Sequence, residues 1–490
     1  DFRMKLKQRP EDFVVREAYR VDWDPKGPWR VYLMDKQKLS TFEAVQRITT
    51  RFRIPMRSVS FCGLKDKQGR TEQLVAIYGR EEEQLQEPDL RLKYLGRTRE
   101  PLSAANLTAN RFSITLRDLS EEEIGRLAPS VSEVRRVGVI NYFDSQRFGA
   151  LKHGQGFIAK DLIRGDVQRA LYNYMAKPSP LDASEDAKVK RFWAENWGNW
   201  SKRCPYKGVA KYRNILLYLQ ENPKDFAGAF MRIEARYRTL LLYEYQSYLW
   251  NEGVRRLLLS YAPEEELISL RYQAGRMLFP RSLPREDLED LQSRTFPLLG
   301  PDSTFEDART AKAVFETLRR ERIRLEDLAL PHMPGMFFKH EERPVVVKPG
   351  KLVVGKPQPD ELNRGRLKVN IGFTLPPGAY ATLVTRRLFW FSELEQEAKE
   401  RGELHPAAQA MLTRAFGGPT SEVAEFVEEK EEPKPEAPLR EPRPKMGFLE
   451  RQRRKKEARA ARRQAATQAP KPKPKPKAKA KSAKRRKSHE

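Results

Sequence analysis

The stretch GLKDKQGRTEQ, residues 63–73, sets Asp66 between Lys65 and Lys67, with Arg70 close by and glycines at 63 and 69. Cations near a carboxylate favour its ionised form, and an ionised aspartate can serve as a nucleophile or general base. A charged run on a loop is most simply a solvated turn. Here Gly63, Gly69, Thr71 and Gln73 instead describe a loop shaped by backbone geometry and side-chain hydrogen bonds. A second candidate is NYFDSQRFG, residues 141–149, which joins the Asn141 amide, two aromatics, Gln146, Arg147 and a closing glycine. That vocabulary suits an unstacked nucleobase: aromatic faces stack it, amides read its edge and arginine holds phosphate. LPPGAYATLVTRRL, residues 375–388, presents Tyr380 after a Pro-Gly corner, and RPEDFVVRE places Phe13 after two acids on an early strand. Taken singly, the aromatics of 141–149 and Phe13 read more simply as core.

Charge points the same way. A net +27 over 490 residues favours a polyanionic partner, RNA or DNA ahead of a membrane surface. Residues 441–490 hold 20 Lys or Arg against 4 Glu, which leaves +11 on the other 440. Cys62 and Cys204 lack metal-site spacing and the five histidines are scattered, which argues against a disulfide framework and a zinc enzyme. A Mg²⁺ nuclease would need clustered acids, and the acidic runs REEEQ and SEEE read as helix starts or solvated faces. With no apolar run of bilayer length and no leader pattern, a soluble cytoplasmic protein without a membrane partner is expected. Oligomeric state is not written in the composition, and a monomer is the simplest expectation.

These residues need elements to position them. DFVVREAYR, WRVYLMDKQ, SVSFCGLK, EQLVAIYG and NRFSITLRDL read as strands, with Cys62 in strand packing. LSTFEAVQRITTRF reads as a helix capped by Ser40 or Thr41. Helices dominate from 153 to 342, where Leu241, Tyr245, Tyr248, Leu249 and Arg256 form a helical stripe. The β signature returns from Arg343 in RPVVVKP, KLVVGKP, RLKVNIGFTLP and AYATLVTRRLF. An α+β protein is therefore expected, one sheet domain with a second domain inserted. Residues 401–424 read as a linker, and 425–490 as a disordered, low-complexity basic tail gripping RNA phosphates through 441–490.

Together the motifs resemble the TruD family of tRNA pseudouridine synthases. PEDFVVRE is similar to its opening strand, GLKDKQGRTEQ to its nucleophile loop, and NYFDSQRFG and LPPGAYATLVTR to two further signatures. YQSYLWN, residues 245–251, and FPLLGPDS resemble segments of its inserted domain, so the likeness runs in order over about residues 1–400. The resemblance implies a pseudouridine-synthase sheet domain, mixed but mainly antiparallel, from 1–152 and 343–400, around a helix-rich α/β (TRUD) domain at 153–342. It implies Asp66 as catalytic nucleophile, with Lys7 and Lys65 as basic companions. Phe13, Asn141, Phe143, Gln146 and Tyr380 would bind the substrate. The implied reaction turns a uridine of tRNA, at position 13, into pseudouridine, with the base flipped and with neither cofactor nor metal. Some residues depart from the family pattern. Asp144 replaces a glycine and adds a negative charge near the RNA path, and Gly69 stands where alanine is common. Thr385-Arg386-Arg387 replaces Leu-Arg-Glu and loses an acidic partner, and Tyr380 replaces a phenylalanine. The alternative is a non-catalytic RNA-binding or RNA-folding protein on the same scaffold, against which the intact Lys-Asp-Lys loop argues.

Overall fold

The computed structural model describes residues 6–416, apart from 66, 68, 80–83, 152–155, 181 and 402–405. The expected nucleophile Asp66 and the expected tail 425–490 thus lie outside the described residues.

Alternating apolar and β-branched residues in the first quarter of the chain build seven strands. These are β1 (Phe13–Tyr19), β2 (Trp29–Gln37), β3 (Val59–Phe61), β4 (Arg70–Tyr78), β5 (Leu85–Gln86), β6 (Leu90–Thr98) and β7 (Leu107–Leu119). Six short strands follow: β8 (Val139–Ile140), β9 (Leu267–Tyr272), β10 (Gly275–Pro280), β11 (Thr295–Leu298), β12 (Glu341–Pro344) and β13 (Val346–Val347). The chain then adds β14 (Gly350–Val354), β15 (Gln358–Pro359) and β16 (Leu367–Leu375).

Ten strands make one sheet in the order β14-β16-β7-β1-β4-β2-β6-β5, with β15 also on β16 and β3 on β4. All its pairings are antiparallel except β1 with β4, so the mixed, mainly antiparallel α+β architecture is as expected. Its strands come only from the two β-rich stretches of the sequence. β8 and β13 pair antiparallel, Ile140 opposite Val346, beside the points where the chain leaves the sheet and returns to it.

The helix Thr41–Phe52 buries Ala44, Ile48 and Phe52 against Tyr32, Met34, Val75 and Ile77. By strand alternation Val31, Leu74 and Ala76 point the other way, and they enclose Cys62, which is strand packing as expected. Phe13, Val15, Ile114, Ile371 and Phe373 join the helices Glu121–Val137 and Ala235–Leu258 in the largest core. Among the described residues no helix is long and apolar enough to cross a membrane.

One expectation is resolved and another corrected. AYATLVTRRLF carries a β signature but also reads as a helix after the Pro-Pro-Gly corner, and it is the helix Ala381–Leu388, its buried positions Ala381, Val384, Thr385 and Leu388 recurring with helical period. Ordered chain also continues into the expected linker as the helix Pro406–Phe416. There Met411 and Leu412 are buried, and Phe416 stacks on Trp390 with ring centres 5.5 Å apart. These apolar positions give that segment a core contact that a linker lacks.

Candidate active site

The 63–73 loop is tied to the start of the helix Thr41–Phe52. Ser40 caps that helix reciprocally with Glu43: the Glu43 N–H donates to Ser40 Oγ (3.1 Å), and the Ser40 N–H to Glu43 Oε2 (2.7 Å). Thr41 Oγ1 accepts from the Lys65 N–H (2.9 Å) and donates to Gln73 Oε1 (2.9 Å). Gln73 Nε2 donates to the Gly63 carbonyl (3.1 Å), so both arms of the loop converge on one helix terminus. Lys65 Nζ donates to Glu17 Oε1 at 2.5 Å, and these side chains are only 9% and 0% exposed. The other Glu17 oxygen accepts the Leu74 N–H (2.9 Å). Lys67 Nζ reaches Glu43 Oε1 at 2.6 Å and holds that carboxyl down at about 2. Asp66 lies outside the described residues, but its chain neighbours on both sides are anchored. Burial pushes the nearby Cys62 thiol up to about 12, which keeps it protonated.

Gly69 closes the loop at φ +96°, where a Cβ would stand 2.4 Å from the Phe13 carbonyl oxygen. An alanine side chain does not fit this backbone. Phe13 opens β1 after the turn Pro10–Asp12. Asp12 accepts from the Arg9 N–H (2.8 Å) and from Arg117 Nε (3.0 Å), and Arg117 Nη1 donates to Asp360 (2.9 Å). Asp12, Arg117 and Asp360 are all buried, so they lock the turn before Phe13 to β7 and to the segment before β16. Lys7 has left-handed backbone (φ 62°), and its Nζ sits 4.2 Å from the Phe13 ring centre. Phe13 meets Phe112 edge-on (6.1 Å), and Phe112 stacks on Phe373 (5.4 Å).

Asn141, Phe143 and Tyr380 form a second group. Asn141 Nδ2 donates to the Pro344 carbonyl (3.1 Å), while its Oδ1 accepts from Arg343 Nη2 (2.8 Å). Arg343 Nε donates to the Asn141 carbonyl (2.9 Å). The Phe143 backbone is gripped twice by Asn251, through N–H to Oδ1 (2.9 Å) and Nδ2 to carbonyl (2.8 Å). The Phe143 ring lies edge-on to Trp250 (5.7 Å) and to Tyr380 (6.3 Å). Gln146 stands apart, exposed on the turn Ser145–Phe148. The strand that leads to Tyr380, β16, is separated from β1 by β7 alone. Leu375, from which the chain turns toward Tyr380, lies opposite Asn110, and Asn110 lies opposite Glu17.

The expected stray charges are neutralised. Asp144 is buried and accepts from the Ser145 N–H (2.8 Å), from the Thr382 hydroxyl and from Arg386 Nη1 (3.0 Å). It therefore braces the helix Ala381–Leu388 and adds no free charge to an RNA path. Nor are the arginines short of acids: Arg386 pairs with Glu393 (2.7 Å) and Arg387 with Glu133 (2.9 Å).

Sequence reasoning passed over Glu17, Thr41, Asn251, Arg117 and Arg343. A signal existed for Glu17: it shares parity with Phe13 and Val15 on a strand whose face is buried, so it requires a cation. Arg343 carried no local signal, since it meets Asn141 from 202 residues away.

A model of the family tRNA pseudouridine synthase D (TruD) matches residues 1–388. A protein of Methanocaldococcus jannaschii assigned as tRNA pseudouridine synthase D 2 is 33% identical over 395 residues, which span 79% of this chain and 92% of that one. The tRNA pseudouridine synthase D of Aquifex aeolicus is 29% identical over 395 residues, covering 79% and 98% of the two chains. The crystal structure assigned as TruD of Methanosarcina mazei matches with a TM-score of 0.60 at 25% identity, over 78% of this chain and 93% of that one. The chain belongs to the tRNA pseudouridine synthase D (TruD) family.

Proposed function

We propose that this chain, an isomerase making pseudouridine in tRNA, acts on uridine 13 with Asp66 as nucleophile and the base flipped out of the stack. The reaction breaks the bond between N1 and the sugar, turns the uracil and joins C5 to the same sugar carbon. The proton lost from C5 is matched by one gained at N1, so atoms and electrons balance without oxidant, reductant or net hydrolysis. A base must leave the stack to meet a carboxylate on a loop. Half-buried Tyr380 offers ring surface for the flipped uracil, with buried Phe143 packed against it as its support and Phe13 beside the loop. Asn141 keeps one amide N–H and one lone pair beyond its bonds to Pro344 and Arg343, with which to read the uracil edge. Lys7 adds positive field above Phe13. Lys65 is committed to Glu17, so its role is to position the loop.

The observation that supports this reading is the double anchoring around Asp66: Lys65 to Thr41 and Glu17, Lys67 to Glu43, and Gly69 against Phe13. Such anchoring pre-pays the ordering of a reactive group. The test is a tRNA transcript carrying cytidine in place of uridine 13. Pseudouridine formation is expected to stop. Formation elsewhere at the original rate would overturn the position.

A further inference from the structure

Arginines in this region are mostly matched with acids: Arg117 with Asp12 and Asp360, Arg281 with Glu133, Arg386 with Asp144 and Glu393, and Arg387 with Glu133. Arg147 and Arg343 are different. Both guanidinium groups lie over the Phe143 ring, at 5.1 and 4.1 Å from its centre. Sharing one ring, they are separated by no more than the sum of those distances. Among the described residues neither makes an ion pair. The Arg147 side chain has no hydrogen-bond partner there, and its Nε is buried without one. Its Nη atoms likewise make no hydrogen bond among the described residues, and the side chain is only half-buried. Arg343 spends Nε and Nη2 on the carbonyls of Asn141 and Gly378 and on Asn141 Oδ1, which leaves Nη1 unused. The acids whose fields reach the pair supply no direct partner. Glu244 gives one oxygen to the Ala150 and Leu151 N–H groups, and Glu341 is exposed. Burial first, and then the charge of Arg147, bring Arg343 down to about 10, against the opposing pull of Tyr380 and Glu341. Outside them Tyr243 is 42% exposed, its ring 6.0 Å from the Arg147 guanidinium.

We propose that Arg147 and Arg343 form a phosphate subsite that clamps a backbone phosphodiester next to the flipped uridine, against the edge of the Phe143–Tyr380 pocket. Two guanidinium groups gathered at one aromatic ring, each with N–H donors unspent among the described residues, match the donor set and charge that a phosphodiester calls for. The anion supplies the counter-charge that this part of the protein lacks. The clamp also explains why Arg343 is bonded to Asn141: one side chain sets both the phosphate and the residue that reads the base. Exposed Tyr243 is placed to stack the next base along. The proposal rests on the assignment of Asn141, Phe143 and Tyr380 to the uracil pocket.

The test reads binding, so it is separable from turnover. A single neutral methylphosphonate is walked along the strand on both sides of the target uridine, and affinity for the full-length protein is measured at several salt concentrations. With wild-type protein, one or two adjacent positions beside the uridine are expected to lose about tenfold in affinity. R147Q is expected to lose about as much on unmodified RNA, to lower the salt slope by about 0.7–0.9, and to be indifferent to the methylphosphonate at that position. R147K should keep the salt slope. No sensitive position in the wild-type walk, or an equal methylphosphonate penalty in R147Q and wild type, would overturn the clamp. The walk on wild-type protein stands even if R147Q fails to fold. Failure to make pseudouridine would strike the activity without touching these readings.

Discussion

At the scale of single residues, the Lys65–Glu17 pair carries most of the load of keeping the 63–73 loop in place. Its side chains are almost free of solvent, so removing one partner leaves an uncompensated charge in the interior. Lys65→Met is expected to destabilise the protein by about 3–5 kcal/mol in urea unfolding, and Lys65→Met with Glu17→Gln by clearly less. Glu244 offers a second test. Burial raises its carboxyl from 4.5 to about 7, against the pull of the Leu151 and Ala150 N–H groups and of Arg147. Between those values the folded form holds a proton that the unfolded chain has lost, so stability falls as pH rises through the window and levels off above it. Glu244→Gln should flatten that decline, measured as urea midpoints from about pH 4.5 to pH 8. Residues inside motifs, such as Asp66, Phe13 and Asn141, could be proposed from the sequence because their neighbours are distinctive. Their supports were not, since Glu17 meets Lys65 from 48 residues away and Arg343 meets Asn141 from 202.

At the scale of elements, one helix terminus organises the loop. Ser40→Ala removes a reciprocal cap and is expected to cost about 1 kcal/mol of stability. Thr41→Val cuts the bonds to Lys65 and Gln73 together. It should lower single-turnover rate at saturating RNA while leaving RNA affinity near wild type; a weakened affinity with unchanged rate would contradict the positioning role. The cap was readable from Ser40 and Glu43, and most strands from plain alternation. The helix Ala381–Leu388 was ambiguous in sequence because β-branched Thr382, Val384 and Thr385 favour strands locally, and burial against the helix Glu121–Val137 decided for the helix. The hairpin β9–β10 went unread for a related reason: it interrupts a helical stretch and is set by tertiary packing, with Leu278 bonded through both its N–H and its carbonyl to the Tyr142 hydroxyl.

At the scale of the whole molecule, segments that lie far apart in sequence meet, Gly69 with Phe13 and Phe143 with Tyr380, in a protein whose sheet is made from both ends of the chain. The helix Ala235–Leu258 then braces the outgoing segment at Phe143 through Asn251, and β11 at Phe296 through Trp250. Charge is also distributed at this scale, with +16 of the net +27 in residues 441–490. Truncation after Ala424 is expected to weaken tRNA binding at low salt and reduce its salt dependence, while turnover at saturating tRNA stays unchanged. The central claim, an aspartate nucleophile in an anchored loop, is tested most directly by comparing wild type and Asp66→Asn on the same tRNA, with pseudouridine counted in a single turnover and RNA affinity measured in parallel. The predicted result is pseudouridine from wild type and none from Asp66→Asn at equal RNA affinity; product from the variant at the wild-type rate, or none from wild type, would contradict it.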